Sequence, residues 1–220
     1  GGPGGYSAAI RARQLGLSVV IVEAEKLGGI CLNWGCIPTK ALLGNAETWE
    51  LLSGLEASGI RVDGAGFDWG KIIANSREVA DKLSIGIDYL MKQNGVEVRN
   101  GLGRLSPLGH VELVDSKGEK FEEIQSENII ISTGSKPRSL PGIDIDGELI
   151  LSSRHAMELT SCPTSIVIIG GGAIGVEFAY FFNAFGCTVT LLESENQLLP
   201  REDPEVANLL EVSFRNKGID

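Results

Sequence analysis

Histidine is nearly absent from this chain: His110 and His155 are the only two among 220 residues. Neither stands at ligand spacing from a cysteine, so no metal site is expected. Neither is placed to act as an acid or base, His110 falling at a turn and His155 in what reads as a surface helix. Long apolar runs are absent too. No stretch approaches the roughly 20 residues of a membrane-spanning helix, so no membrane is expected. Basic charge is short: 19 Lys and Arg face 29 Asp and Glu, a net charge of −10. That balance argues against nucleic acid or an anionic membrane surface as partner. No charged-then-apolar leader opens the sequence as it stands, and four cysteines are too few to staple a chain of this length. The expectation is a soluble globular protein of a reducing compartment, read as cytoplasmic.

Glycine is in excess, 29 residues gathered mostly in turns, against a usual share of about 7%. Two of these turns are copies. Gly1-Gly2-Pro3-Gly4-Gly5 returns as Gly171-Gly172-Ala173-Ile174-Gly175 at an offset of 170 residues, with Ala9 matching Ala179, Gly16 Gly186, Val19 Val189 and Glu23 Glu193. Each copy reads as glycine turn, helix, glycine, β-branched strand and Glu. The second copy is preceded by an apolar strand, 165–169, and by Gly170; the first has neither. The first domain is therefore expected to lack its first strand. The second, whose last helix from about Asp203 stops at Asp220, is expected to be incomplete.

Between the copies, apolar spacing predicts a helix over 38–52 and a longer amphipathic one over 68–94, with Ile72, Val79, Leu83, Ile87 and Leu90 on one face. Short strands over 96–99, 111–114 and 121–124, separated by turn residues, predict an antiparallel meander. Residues 128–132 read as a buried strand returning to the first sheet, ending in Thr133-Gly134-Ser135. Leu140-Pro141-Gly142 reads as a linker. The predicted fold class is α/β: tandem Rossmann-like domains over 1–145 and 146–220, the second incomplete, with an antiparallel β-meander inserted in the first.

Gly170-x-Gly172-x-x-Gly175 follows a predicted strand and opens a helix, and Glu193 stands 18 residues beyond it. Glycines there permit a tight turn, close approach of the backbone (Ala173 and Ile174 included) to a pyrophosphate, and tight packing of helix on strand. The helix N-terminus stabilises the phosphate charge. The acidic side chain accepts hydrogen bonds from ribose hydroxyls and repels a 2′-phosphate, which favours NAD over NADP. In the first copy Gly2, Pro3, Gly4, Gly5 and Glu23 take the same places. Two such folds imply two dinucleotides, unless one copy is fold alone. A second signal is Cys31-Leu-Asn-Trp-Gly-Cys36-Ile-Pro-Thr-Lys40, just after Gly28-Gly29. Two thiols at that spacing can close a short disulfide ring, the layout of a redox-active pair; two unlinked buried thiols are the plainer alternative. A flavin beside such a pair would accept electrons from a dithiol and pass them to NAD. Cys162 and Cys187 match no motif, and Cys187 reads as core.

The segment 28–40 resembles the active-site signature of class I pyridine nucleotide-disulfide oxidoreductases, and its Cys-Leu-Asn-x-Gly-Cys-Ile-Pro wording is closest to the dihydrolipoamide dehydrogenases of that family. Thr133-Gly134-Ser135-x-Pro137-Arg138 and residues 170–177 are similar to the family as well, so the resemblance covers essentially the whole chain. It implies an FAD-binding domain over 1–145 and the first part of an NAD-binding domain over 146–220. It implies that Cys31 exchanges with a dihydrolipoyl substrate and that Cys36 lies against the flavin as a charge-transfer thiolate, a state its place at a helix start would favour. Lys40 would lie near the flavin N5, paired with Glu177 where nicotinamide meets flavin. Gly29, Gly103, Thr133 and Gly134 would approach FAD. The parent would be a homodimer serving the lipoyl domain of a 2-oxoacid dehydrogenase complex or the glycine cleavage system. The family's histidine base and its glutamate belong to a C-terminal domain beyond this sequence, so the chain is expected to hold half an active site and to be inactive alone. A glutathione- or mercuric-reductase-like enzyme stays open, as does a non-catalytic truncated product; Leu32, Ile37 and Glu193 lean against the former.

Overall fold

The computed structural model describes residues 1–107 and 109–220. They fall into two compact units, Gly1–Pro38 with Arg77–Asp144, and Thr39–Ser76 with Ile145–Asp220.

In the first unit, helix α1 (Pro3–Gln14) starts at Gly2, with Pro3 in a first-turn position where its missing N–H leaves nothing unpaired. Strand β1 (Val20–Glu23) follows, then the short helix α2 (Gly29–Trp34) and the start of helix α3 (Cys36–Gly54). Helix α4 (Trp69–Gln93) belongs to this unit from Arg77 and leads to strand β2 (Glu97–Asn100). β2 pairs parallel with β1, Val20 opposite Glu97 and Glu23 opposite Asn100. Ala9, Ile21, Leu27, Leu32, Ile87, Met91 and Val96 form the core that these elements share. Strands β3 (Leu102–Leu105), β4 (Val111–Val114) and β5 (Lys120–Ile124) make a separate antiparallel sheet in that order.

Two sequence expectations are corrected here. Residues 96–99 do not open the meander; the α4 crossover delivers them to the edge of β1 as a parallel strand. The meander opens instead with β3, which alternation did not reveal because Gly103 interrupts it. Residues 128–132 form no strand, and Ile130 and Ile131 are 69% and 67% exposed. A strand persists only where its backbone groups find a ladder. Among the described residues the sheet of β1 has a single neighbour, β2, so β-propensity at 128–132 has nothing to pair with.

In the second unit, α3 continues to Gly54 and ends in a 3-10 turn, Leu55–Ser58, and α4 has its first two turns. A one-turn helix α5 (Ser153–Ala156) precedes strand β6 (Ser165–Ile169), helix α6 (Ala173–Ala184) and strand β7 (Thr188–Leu192). β6 and β7 pair parallel, Ser165 opposite Thr188 and Ile169 opposite Leu192, so β6-α6-β7 is a crossover unit. Helix α7 (Pro204–Asn216) is capped by Asp203, whose carboxylate accepts from the Glu205 N–H at 2.8 Å. α6 is almost wholly apolar and buries Val176, Phe178, Ala179, Phe181 and Phe182. Trp69 lies over it with ring centres 5.2 Å from Phe181 and 5.9 Å from Phe182, while its indole N–H donates to the Leu159 carbonyl at 2.7 Å. Cys187 is part of this core, and burial pushes its thiol up to about 11. His155 serves as a helix cap, its Nδ1 accepting from the Ser152 N–H at 3.2 Å. No helix among the described residues is long and apolar enough to cross a membrane.

The repeat read from the sequence is a repeat of structure within each unit. α1 and α6 are each 12 residues long and start at Pro3 and Ala173, the same offset as the glycines. Tyr6 N–H donates to Gly2 O at 2.9 Å and Val176 N–H to Gly172 O at 3.0 Å. At the far ends, Leu17 N–H reaches Ala12 O and Cys187 N–H reaches Phe182 O, both at 3.1 Å.

Candidate active site

Cys31 lies in α2 and Cys36 is the first residue of α3, with Gly35 between the two helices. The two cysteines form a disulfide across this junction, their Cα atoms 4.8 Å apart. Cys31 is half-buried and Cys36 exposed. Gly35 makes the junction tight: a methyl group there would lie 3.1 Å from the Ile30 carbonyl oxygen and 3.2 Å from the Cys31 Cα. The Trp34 ring is covered by the Arg77 guanidinium, 4.4 Å from its centre. Sequence reasoning singled out the thiols but missed Gly35, Trp34 and Arg77 as parts of the site. The signal for Gly35 was available in the Gly-Cys step of the motif; Arg77, on α4, had none.

The same unit brings the first glycine turn to this segment. Gly28 N–H donates to Gly1 O at 2.9 Å, and a methyl group on Gly29 would lie 2.6 Å from the Gly2 Cα. Gly29 also has φ +61°, so both its conformation and its contact call for glycine. Ser132 packs against Gly4 and Gly5, where added methyl groups would meet its side chain at 3.5 and 3.7 Å. Thr133 and Gly134 are the next two residues of the chain after Ser132. Gly103, in β3, faces Val22 of β1, its would-be Cβ 3.4 Å from Val22 Cγ1. Glu23 Oε2 lies 2.9 Å from the nitrogen of Gly1, and Oε1 accepts from the Glu25 N–H at 2.8 Å.

The second unit repeats this arrangement. Glu193 Oε2 accepts from the Gly171 N–H at 2.7 Å, and Oε1 accepts from the N–H groups of Ser194 and Glu195 at 2.6 and 3.0 Å. These backbone donors, that of Glu195 foremost, hold the carboxyl below the usual carboxylate range. Gly170 has φ +110°, and a methyl group on Gly175 would lie 1.8 Å from its carbonyl oxygen. Gly172 caps α6, leaving Ala173 and Ile174 exposed in the first turn. Glu177, one turn further along α6, forms an ion pair with Lys40 of α3, 137 residues away in sequence. Lys40 is four residues beyond Cys36 on the same helix.

A profile of the pyridine nucleotide-disulphide oxidoreductase family matches residues 1–220. The chain belongs to this family. Among curated family relatives, a dihydrolipoyl dehydrogenase of Zymomonas mobilis is 45% identical over 219 residues, an alignment spanning 100% of this chain and 47% of the relative. One from Bacillus subtilis is 42% identical over 226 residues, spanning 100% and 48%. The crystal structure of LpdA from Mycobacterium tuberculosis matches with a TM-score of 0.89 at 27% identity, covering 100% of this chain and 49% of that one. The HOCl-induced flavoprotein disulfide reductase RclA from Escherichia coli matches with a TM-score of 0.81 at 28% identity, covering 100% and 46%. The chain spans about half the length of the curated relatives it matches.

Proposed function

We propose that the full-length protein is a dihydrolipoyl dehydrogenase, oxidising a dihydrolipoyl group through Cys31 and Cys36, FAD and NAD. The observation that carries this reading is the Cys31–Cys36 disulfide beside a dinucleotide-type glycine turn, in a family whose dihydrolipoyl dehydrogenases include relatives 45% and 42% identical to this chain. A substrate thiolate attacks the Cys31 sulfur; the Cys31–Cys36 bond breaks and Cys36 leaves as a thiolate. The second substrate thiolate attacks the mixed disulfide, so that the lipoyl disulfide forms and Cys31 is released with two electrons now on the cysteine pair. Cys36 suits the leaving role because it opens α3, where the unpaired helix amides favour negative charge.

FAD, when bound, would supply the two-electron acceptor for the cysteine pair, and NAD the final acceptor. The residues present fit both groups. Gly2, Gly4 and Gly5 leave Pro3 as the one side chain among them at the start of α1, so a pyrophosphate could approach the backbone there; Gly29, Gly103, Thr133 and Gly134 would approach FAD, and Glu23 would hold the ribose. Gly170, Gly172 and Gly175 shape the corresponding turn at α6, where Ala173 and Ile174 would offer backbone N–H groups to the NAD pyrophosphate, with Glu193 for its ribose. Lys40 and Glu177 are assigned to tuning the flavin and nicotinamide. On this reading residues 1–145 are the FAD-binding domain and 146–220 part of the NAD-binding domain. Both histidines are engaged elsewhere, His110 with Glu123 at 2.6 Å and His155 in its cap. The family resemblance assigns the base that deprotonates the substrate to the part of the relatives' length that this chain does not span. The partner would be the lipoyl domain of a 2-oxoacid dehydrogenase complex or of the glycine cleavage system, the assembly a homodimer, and the compartment the cytoplasm.

The test uses the full-length protein. Cys31→Ser and Cys36→Ser should each reduce dihydrolipoamide-dependent NAD reduction to background while FAD binding, followed by flavin absorbance, persists. Turnover retained in either variant would sink the assignment.

A further inference from the structure

Asn33 stands between the two cysteines and is 3% exposed. From within α2 its side-chain Nδ2 donates two hydrogen bonds of 3.0 Å, one to the Gly29 carbonyl a turn back and one to the Leu27 carbonyl beyond the helix. The Leu27 carbonyl also accepts from the Ser84 hydroxyl of α4 at 2.9 Å. This orientation leaves the Asn33 Oδ1 buried without a hydrogen-bond partner. A buried orphan acceptor is a net loss, so the value of the residue lies in its two donors. The Gly29 acceptor opens α2 itself and lies against Gly2, whereas the Leu27 acceptor lies in the turn before the helix, whose Gly28 meets Gly1. One amide thus ties the helix that carries Cys31 to the first glycine turn and, through Leu27, to α4.

We propose that Asn33 is a positioning residue for the redox pair: it pins α2 to the turn before it and so keeps the Cys31 sulfur within bonding reach of Cys36. The inference deepens the functional reading above and rests on the pair being redox-active. A helix of six residues does not hold its own shape in water. With α2 pinned, Cys31 meets Cys36 as a preorganised partner and disulfide formation is favoured. With α2 loosened, the effective concentration of one sulfur at the other falls and the dithiol gains.

The full-length protein is equilibrated anaerobically with reduced and oxidised glutathione. The reaction read is protein dithiol plus glutathione disulfide giving protein disulfide plus two glutathione thiols, and the two protein forms are separated by alkylation and mass spectrometry. Asn33→Asp is nearly isosteric. At about pH 8 its carboxylate donates nothing and faces two carbonyl oxygens, whereas at about pH 6 a proton retained by burial restores one donor. The expected result is a roughly tenfold smaller equilibrium constant for disulfide formation at the higher pH, about 30 mV for this two-electron couple, and a smaller deficit at the lower pH. Ser84→Ala, which removes the second donor to Leu27, should shift the equilibrium the same way by roughly two- to threefold. A merely structural role would lower the melting temperature without the pH-dependent deficit. Wild-type constants in both variants at both pH values would overturn the proposal, and if Asn33→Asp does not fold, an unshifted Ser84→Ala overturns it alone. Failure of the functional reading looks different: the wild-type pair would exchange with glutathione yet pass no electrons from dihydrolipoamide to NAD.

Discussion

A methyl group added at Gly175 would lie 1.8 Å from the Gly170 carbonyl oxygen, a contact that backbone on both sides cannot relieve. Gly175→Ala should therefore cost about 3 kcal/mol of stability, the upper range for overpacking. Gly86, in the exposed part of α4, has nothing within 4 Å of its would-be Cβ. Gly86→Ala should gain roughly 0.5–1 kcal/mol, because alanine restricts the unfolded chain and favours helix. Urea unfolding of the two variants checks both signs; equal effects would mean that helix propensity, and not the approach of α6 to its strand, explains the motif glycine. At this scale much was legible. A glycine motif marks places where a side chain cannot fit, and that constraint acts over a few residues. The two donors of Asn33 were not legible, because nothing local names the carbonyls they reach.

The elements differ in what holds them. α6 and α4 meet in the second unit through aromatic rings, and Phe182, fully buried, touches Trp69, Phe178 and Phe181. Phe182→Ala should cost roughly 3–5 kcal/mol, transfer and cavity together, measured as the shift in urea midpoint. The meander offers a contrast. Lys120 of β5 pairs with Glu123 and, at 3.3 Å, with Glu112, and Glu123 foremost raises its pKa. Water and salt screen an exposed network of this kind. Lys120→Ala should leave the same midpoint unchanged within experimental scatter, and a clear loss would show the network to be more than a solvated face. Element type was readable from periodicity, as for 165–169 and the long α4, but partner choice was not. Residues 96–99 alternate apolar and charged side chains, Val-Glu-Val-Arg, much as 111–113 do, and only the crossover through α4 aligns β2 with β1.

At the scale of the whole molecule, carboxyls held below their ordinary range add stability that acid removes. Backbone N–H groups of Glu195 and Gly171 lower Glu193, and those of Ile150 and Glu148 lower Asp146. Both groups bind protons less readily when folded. Their stabilisation is complete above the ordinary values of 4.5 and 3.8 and is lost as pH falls through the lower folded values. Glu193→Gln combined with Asp146→Asn should lower stability at neutral pH and flatten its decline in acid, read as urea midpoint against pH; an unchanged acid limb would sink the account. The two parallel sheets are two-stranded among the described residues, and Val167, Ile169 and Leu192 are exposed on one of them. The chain spans about half of its curated relatives. By itself the sequence determined the features that act along the chain: two glycine turns at one offset, the acidic residue closing each, and a thiol pair spaced to form a ring. The tertiary structure alone decided which strand lies beside β1, that 128–132 has no ladder, that residues 39–76 join the unit of 145–220, and that Lys40 meets Glu177. The pairing of Lys40 with Glu177 was expected only from family resemblance. Turns and short rings are set by sterics over a few bonds, whereas ladders and ion pairs depend on what the folded chain brings alongside.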